Sequence, residues 1–471
     1  MYNNQSVYLH MTLIKSISGI RGTIGGVHGD NLTPIDAVNF GCAYGQWLIN
    51  KNPNSKHKVI IGRDARISGE MIQNLVQFSL ISMGIDIVDL GLSTTPTVEL
   101  MVKKHNADGG IIITASHNPT QWNALKLLNE NGEFLNSHEG KLIVDFSENK
   151  NFTFSQVEDL GTLTKENQSM NQHIDSVLNL NLVNTEKIKA KKLKIVVDAV
   201  NSTGGIIVPD FLNKLDIEVI KLYCQPNGNF PHNPEPLKNN LKDLSNKVIE
   251  TGADMGIAVD PDVDRLVFMC ENGELFGEEN TLVACSDYVL SKTPGNTVSN
   301  LSSSRALNDI TLEYNQTHYY SAVGEVNVIE KMKEVNAIIG GEGNGGVIYP
   351  ESHYGRDAIV GIGLFLSLYC ERDLSASNLL NTYPKYYMVK EKINLSSSIN
   401  VDKILNQIAK EYKNEKIDLV DGVRIDFIDS WVQLRKSNTE PIIRIYSEAK
   451  SEEKSNNLIS EIKTLIKEIA S

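Results

Sequence analysis

Three times along this chain a short apolar run stops in a loop crowded with polar groups. Ala107-Asp108-Gly109-Gly110 precedes Ile111-Ile112-Ile113, which runs into Thr114-Ala115-Ser116-His117-Asn118-Pro119. Ala253-Asp254-Met255-Gly256 precedes Ile257-Ala258-Val259, which runs into Asp260-Pro261-Asp262-Val263-Asp264-Arg265. Val335-Asn336-Ala337-Ile338-Ile339 runs into Gly340-Gly341-Glu342-Gly343-Asn344-Gly345-Gly346. Such runs, bounded by turn residues, read as buried strands. In open α/β sheets, ligands bind where the strands end. Three comparable α/β units sharing one cleft account for the pattern; chance similarity among buried strands is the competing explanation.

The intervening sequence supports alternating strands and helices. Val59-Ile60-Ile61 ends in Gly62-Arg63-Asp64-Ala65-Arg66, a helical stretch spans about 69–83, and Ile85-Asp86-Ile87-Val88 is the next strand. This is βαβ order. The polar stretch 148–172 lacks apolar periodicity and reads as a boundary. The tail differs: 401–412 is helical, 423–427, 432–434 and 442–446 read as strands, and Leu458, Ile462, Leu465 and Ile469 form one stripe on a terminal helix. That predicts a small α+β domain. At 471 residues the chain is too long for one core, so several domains are expected.

Bulk properties exclude other classes. A 41% hydrophobic and 22% charged composition is that of a soluble globular protein. A net charge of −13 argues against nucleic acid or an anionic membrane as partner, so an anionic substrate needs a local cluster of cations. Five scattered cysteines without CxxC spacing fit reduced thiols in a cytoplasm. The first residues show no signal-peptide pattern, and no apolar run approaches the ~20 residues of a membrane span.

The loops carry the chemistry. Ser116 is a candidate nucleophile or phosphate carrier; the bland alternative is a turn whose Ser and Asn cap backbone groups. Asp260, Asp262 and Asp264 alternate along the chain and can converge on a hard cation, foremost Mg²⁺; uncompensated, they would repel one another. With Glu271 they mimic the spacing of a calcium loop, but Arg265 stands where that loop needs Gly, and a strand precedes it. Gly341–Gly346 satisfies G-x-G-x-x-G, yet Val347-Ile348-Tyr349-Pro350 follows where a dinucleotide site needs a helix. Glu342 and Asn344 there suit a polyhydroxylated ligand. Arg435-Lys436-Ser437-Asn438-Thr439-Glu440-Pro441, with Arg444 beyond, combines the donors that a phosphate dianion wants. Arg21, flanked by glycines, and Lys126, ten residues after Ser116, are cations suited to a transferring phosphoryl group.

Taken together, these loops resemble the α-D-phosphohexomutase family, which includes phosphoglucomutases, phosphomannomutases and phosphoglucosamine mutases, over nearly the whole chain and in the family's order. The resemblance implies four domains around a central cleft: three similar α/β mixed-sheet domains at 1–158, 159–274 and 275–382, and a C-terminal α+β phosphate-binding domain at 383–471. It implies that Ser116 is carried as phosphoserine and gives its phosphoryl to a hexose monophosphate. By the same resemblance, the bisphosphorylated hexose would be intermediate and activator; it would turn around and return its other phosphoryl. Mg²⁺ would be held by Asp260, Asp262, Asp264 and a Ser116 phosphoryl oxygen. Arg21 and Lys126 match positions that assist transfer, and Arg265 would contact the reacting region. Glu342 and Asn344 would grip sugar hydroxyls, and Arg435, Ser437, Asn438, Thr439 and Arg444 would hold the non-reacting phosphate.

One departure matters. Gly346 stands where many relatives carry His, which leaves His117 and Lys126 as nearest substitutes for acid–base work and His353 as a weaker one. Val323-Gly324-Glu325-Val326-Asn327 and the Gly341–Gly346 loop resemble the phosphoglucosamine mutase variant, and Glu325, two strands from the sugar loop, would pair with a substrate amine. The expected substrate is therefore glucosamine 6-phosphate, with mannose or glucose phosphates as the alternative, in a cytoplasmic monomer or homodimer. A serine hydrolase lacks the G-x-S-x-G elbow; an aspartyl-phosphate phosphatase leaves Ser116 idle; a non-catalytic phosphosugar-binding protein has no need of both Ser116 and three aspartates.

Overall fold

The computed structural model describes residues 11–16, 19–394, 400–436 and 442–470. These residues form four sheets. The chain divides into two compact units: one runs to Gly277 and takes back Ile348–Ala376, and the other comprises Glu278–Val347 and the chain from Ser377 onward.

In the first unit, strands Lys58–Arg63, Asp86–Leu92 and Gly109–Ile113 are parallel, with Lys58–Arg63 in the middle. Trp122–Leu128 then folds back antiparallel to Gly109–Ile113, and the Ser116 loop is the connection between them. The Ile111–Ile113 run is fully buried, as a strand covered on both faces must be. Helix Pro34–Lys51 starts on a capping box in which Thr33 and Asp36 satisfy each other's backbone N–H groups, with Pro at the first turn. It packs against helix Gly69–Ile81 over the core made by Phe40, Trp47, Ile61, Val76 and Ile111.

The second sheet repeats this plan. Lys194–Asp198 lies between parallel Glu218–Leu222 and Met255–Val259, and Leu266–Cys270 returns antiparallel after the Asp260 loop. Strands on both sides of that loop rule out the helix–loop–helix of a calcium hand. In the second unit, Asn296–Asn300 lies between parallel His318–Ser321 and Ala337–Glu342, and Gly346–Ile348 is the next neighbour. Each polar loop thus leaves the equivalent strand of an equivalent four-strand arrangement, as the internal repeat predicts. Glycines make the third loop possible: a Cβ at Gly343 would lie 2.0 Å from Glu279 Oε2.

The stretch read as a boundary holds more structure than expected. Helix Ser137–Asn149 runs into it, Leu163–Lys165 adds a seventh strand beside Asp86–Leu92, and helix Ser169–Leu178 opens at its end. The strand escapes a periodicity search because all three of its side chains are exposed at the sheet's edge. It lies beyond residue 158. The helix Ala358–Arg372, inside the stretch 275–382, belongs to the first unit, where Phe365 stacks on Phe268 with centroids 3.7 Å apart.

The C-terminal sheet is antiparallel, ordered Tyr387–Asn394, Ile442–Ala449, Ser430–Lys436, Val423–Asp426, Lys416–Asp418. Val432, Leu434, Ile443 and Ile445 face helices Val401–Glu411 and Glu452–Ala470, whose buried stripe is Ile459, Ile462 and Ile466. Alternation puts Trp431, Gln433 and Arg435 on the opposite face. The outer strands Tyr387–Asn394 and Lys416–Asp418 were not anticipated, being half-polar and short respectively.

His318 has Nδ1 2.8 Å from Thr297 Oγ1 and Nε2 3.1 Å from Ser299 Oγ. Burial, reinforced by the Arg424 guanidinium, pushes its pKa down to about 3 from the ordinary 6.5. The unfolded chain therefore takes up a proton that the native one refuses. The contribution to stability is complete above about pH 6.5 and erodes by up to about 1.4 kcal/mol per pH unit towards pH 3. We expect hydrogen-exchange protection of strand Asn296–Asn300 to fall through that window, and His318→Gln to flatten the fall; identical profiles for both proteins would contradict the assignment.

Candidate active site

Ser116 sits in a backbone conformation that the loop has to enforce. Its φ is +47°, in the left-handed region that disfavours L-residues. The enforcement comes from Arg66, whose side chain is enclosed. Its guanidinium donates to the carbonyls of Ser116, Asn118, Pro119 and Trp122, while Nε donates to Asp64 Oδ2 at 3.0 Å. That same oxygen accepts from Thr114 Oγ1 at 2.7 Å, and Thr114 Oγ1 accepts from Ser116 N at 2.9 Å. The loop is thus wrapped on a buried Arg–Asp pair contributed by the turn after the neighbouring parallel strand Lys58–Arg63. The Ser116 hydroxyl then has a defined direction and donates to Asp260 Oδ2 at 2.7 Å.

The three aspartates converge as their alternation predicts. All are fully buried, and one oxygen of each can lie within 4.8 Å of the other two. Val263 carries a left-handed φ of +64°, and the loop is tied down from several sides. Pro261 O accepts from Ser202 Oγ and Thr203 Oγ1, and Asp262 O accepts from Thr95 N. Asp260 Oδ1 accepts from the N–H groups of Asp264 and Arg265. Asp262 Oδ2 accepts from Thr95 Oγ1 and Lys126 Nζ, both at 2.6 Å; Asp264 Oδ2 accepts from Arg356 Nη2 at 2.6 Å and Lys126 Nζ at 3.2 Å. The second oxygens of Asp262 and Asp264 are buried and carry no hydrogen bond.

The electrostatics follow from this packing. Burial, then the neighbouring Asp264 and Asp262 carboxylates, push Asp260 well above the usual carboxylate range. Asp264 goes the other way: burial would raise it, but Arg356, Lys126 and Arg265 hold it below its ordinary value. Burial alone would lower Lys126, yet Asp262 and Asp264 raise it, so it stays a cation. Bare buried carboxylate oxygens cost free energy unless something positive meets them. Two such oxygens beside a serine-bonded carboxylate are a hard-donor set that fits Mg²⁺.

Other expected residues gather here. Arg21, on strand Gly19–Thr23, donates to Asn118 Oδ1 at 3.3 Å. His117 Nδ1 lies 3.3 Å from Ser116 Oγ; burial, then the Arg265 charge, hold its pKa well below normal, so the ring is neutral. Arg265 Nη1 donates to Glu235 at 3.2 Å. Lys126 is buried, not a surface cation. His353 is buried rather than solvated; its Nε2 lies 3.1 Å from Asp357 Oδ2, which also meets His173 Nε2 at 2.8 Å. Sequence reasoning missed Arg66, Thr95 and Arg356. Arg66 was visible only as the end of a strand; Arg356 lies 92 residues from its partner Asp264 with no motif around it.

In the second unit, Glu342 is buried, and its Oε1 accepts from Asn300 Nδ2 at 2.8 Å and Gly324 N at 3.1 Å. Asn344 Nδ2 donates to Glu342 Oε2 at 3.3 Å. Glu325 is buried at the first turn of helix Glu325–Glu334, and its strand His318–Ser321 is two strands from Ala337–Glu342. Arg435 and Arg444 are opposed on adjacent antiparallel strands, with Lys392 opposite Arg444 on the next. Like charges directly opposed are unfavourable, and Arg435 Nε is enclosed without a hydrogen bond. A rung of three cations on one sheet face is an arrangement that suits an anion. Ser437, Asn438 and Thr439 lie outside the described residues.

Comparison with known proteins agrees with this chemistry. Descriptions of the phosphoglucomutase/phosphomannomutase family match four successive stretches: alpha/beta/alpha domain I over 13–154, domain II over 171–273, domain III over 278–387 and the C-terminal domain over 392–465. The phosphoglucomutase/phosphomannomutase of Thermococcus kodakarensis is 36% identical over 444 residues, covering 93% of this chain and 96% of that protein. The phosphoglucosamine/phosphogalactosamine mutase of Sulfurisphaera tokodaii is 32% identical over 459 residues, covering 95% and 98%. A solved phosphoglucomutase/phosphomannomutase family protein from Burkholderia thailandensis matches with a TM-score of 0.84 at 24% identity, covering 97% and 98%, which speaks to the fold. With all four domains matched in order, the chain belongs to the phosphoglucomutase/phosphomannomutase family of phosphohexomutases, which are isomerases.

Proposed function

We propose that this protein interconverts hexose 6-phosphates and 1-phosphates through a phosphoserine at Ser116 and a bisphosphorylated intermediate, with glucosamine 6-phosphate as preferred substrate. The observation that carries the reading is the Ser116 hydroxyl bonded to Asp260 within a carboxylate trio whose other two members keep bare buried oxygens. A serine hydrolase would lack its G-x-S-x-G elbow and leave the carboxylate trio without a task. A plain structural turn needs neither the strained φ nor the trio.

Asp260, Asp262 and Asp264 would hold Mg²⁺ together with a phosphoryl oxygen on Ser116; when bound, the ion spreads the charge of phosphoryl transfer. Lys126 and Arg356 orient two of the three carboxylates through their other oxygens. In the transfer, the O–P bond at Ser116 breaks as one forms to a sugar hydroxyl. The hydroxyl proton passes through the neutral His117 ring to Ser116 Oγ. Arg21, tethered to Asn118 of the serine loop, stabilises the transferring group. Glu342 and Asn344 bind sugar hydroxyls, and Arg435, Ser437, Asn438, Thr439 and Arg444 bind the distal phosphate. The return transfer runs the same steps backwards, so atoms and protons balance over the cycle and a hexose bisphosphate serves as activator.

The relatives' names support the class and divide on the sugar, with phosphoglucosamine mutase names at 31–33% identity and phosphoglucomutase/phosphomannomutase at 36%. The glucosamine reading rests on Glu325, an acid buried next to Gly324, whose N–H holds Glu342. The alternative role for Glu325 is to favour its own helix N-terminus.

Two experiments decide. Incubation with glucose 1,6-bisphosphate and Mg²⁺ should add the mass of one phosphoryl group to the intact protein. Ser116→Ala and removal of divalent cations by EDTA should each abolish the gain; an unchanged wild-type mass would defeat the mutase reading in favour of a phosphosugar-binding protein. Coupled assays across glucosamine, mannose and glucose 6-phosphates should favour glucosamine. Glu325→Gln should cost that substrate about tenfold more in kcat/KM than glucose 6-phosphate, the scale of one charge-assisted hydrogen bond. Equal losses would assign Glu325 to the helix alone.

A further inference from the structure

Within the second unit, one short loop touches both the sugar-binding loop and the C-terminal sheet. It spans residues 300–305, after strand Asn296–Asn300. On its inner side, Asn300 Nδ2 donates to Glu342 Oε1 at 2.8 Å, and Ser303 Oγ accepts the N–H of Gly343 at 2.9 Å. Asn300 Oδ1 binds the loop to itself, accepting from Ser302 N at 2.9 Å and Ser303 Oγ at 3.0 Å. On its outer side, Ser302 Oγ donates to Gln433 Oε1 at 2.6 Å, Leu301 O accepts from Arg424, and Arg305 N donates to Glu448 Oε1 at 2.9 Å.

The outer partners share the sheet face that carries the cation rung. Gln433 precedes Arg435 by two residues on strand Ser430–Lys436, so both project from the same face. Arg424, opposite Gln433 in register, is fully enclosed between the rings of Tyr320 and Trp431. A second path runs in parallel: Gln433 Nε2 donates to Asp421 O at 3.1 Å, and Asp421 Oδ2 accepts from Val323 N at 3.1 Å. Val323 precedes Gly324, whose N–H is the other donor to Glu342 Oε1. Two hydrogen bonds on that oxygen therefore come from groups braced against Gln433. Hydrogen bonds in an enclosed network polarise and orient one another, and Gln433 is 1% exposed.

We propose that Ser302 and Gln433 are positioning residues whose hydrogen bond couples the grip of Glu342 on the sugar to the hold of Arg435 on the distal phosphate. The inference rests on the phosphohexomutase reading for what Glu342 and Arg435 bind. Its chemical consequence is that a hexose phosphate seated at one end improves the geometry at the other. A free sugar or inorganic phosphate alone does not gain this.

A double-mutant cycle tests it. Glu342→Gln and Arg435→Met are made singly and together, in the wild-type, Ser302→Ala and Gln433→Met backgrounds. The readouts are kcat/KM and, independently of turnover, calorimetric affinity for a hexose 6-phosphate. In the wild-type background, the double loss should differ from the product of the single losses by about fivefold or more. In the Ser302→Ala background, which leaves the path through Asp421, the departure should shrink; in a Gln433→Met background, which cuts both paths, the double loss should fall within about twofold of the product, the additivity of uncoupled sites. Ser302→Thr, which keeps the hydroxyl, should restore the coupling, and Gln433→Met should abolish it from the other side, which guards against a fold defect peculiar to Ser302→Ala. An additive cycle in the wild-type background, coupling undiminished by Ser302→Ala, or coupling that survives Gln433→Met overturns the proposal. Absence of turnover with every hexose phosphate would instead sink the functional reading, while the affinity cycle would still decide the link.

Discussion

Three carboxylates buried side by side are the constraint that organises the first unit. Isolated, each would cost several kcal/mol to enclose, and together they repel. The fold answers with Lys126 from one strand, Arg356 from the segment that returns to this unit, and hydroxyls from Thr95 and Ser116. These donors come from stretches far apart in sequence, so the electrostatic demand of the trio ties the first two sheets and helix Ala358–Arg372 to one point. The site and the stability of the unit share the same interactions, and any loss of charge balance there is felt by both.

Much of this was legible in the sequence because the informative residues lie in contiguous loops. Ile111–Ile113 and Ile257–Val259 are short apolar runs stopped by polar turns, and a hairpin loop at a sheet's edge is the simplest way to satisfy that pattern. The Asp-x-Asp-x-Asp spacing foretold convergence because alternation in extended chain leaves side chains on one face. What stayed hidden depends on distance or exposure. Arg66 supports the serine loop from 50 residues away, and its role exists only once two strands are paired. Arg356 carries no local signature at all. Leu163–Lys165 is an edge strand with three exposed side chains, so no burial pattern marks it.

The repeat has a physical logic of its own. Each of the three sheets puts its loop after the outer parallel strand, where the next strand turns back antiparallel or lies alongside. One supersecondary plan thus supplies three differently furnished loops: a hydroxyl, a carboxylate trio, and a glycine-lined carboxylate and amide. The loops span six or seven residues each, while four strands behind them keep the same order in all three sheets. The C-terminal sheet follows another plan, with helices on one face and polar side chains on the other, which frees that second face for cations.

The left-handed backbone at position 116 has an implication for which hydroxyl residue can stand there. Serine and threonine both offer a hydroxyl, but a β-branched side chain crowds its own carbonyl when φ is +47°. The steric cost falls on the one residue whose torsion aims the oxygen at Asp260. Stereochemistry of the main chain, rather than reactivity, therefore selects the primary alcohol here over the secondary one.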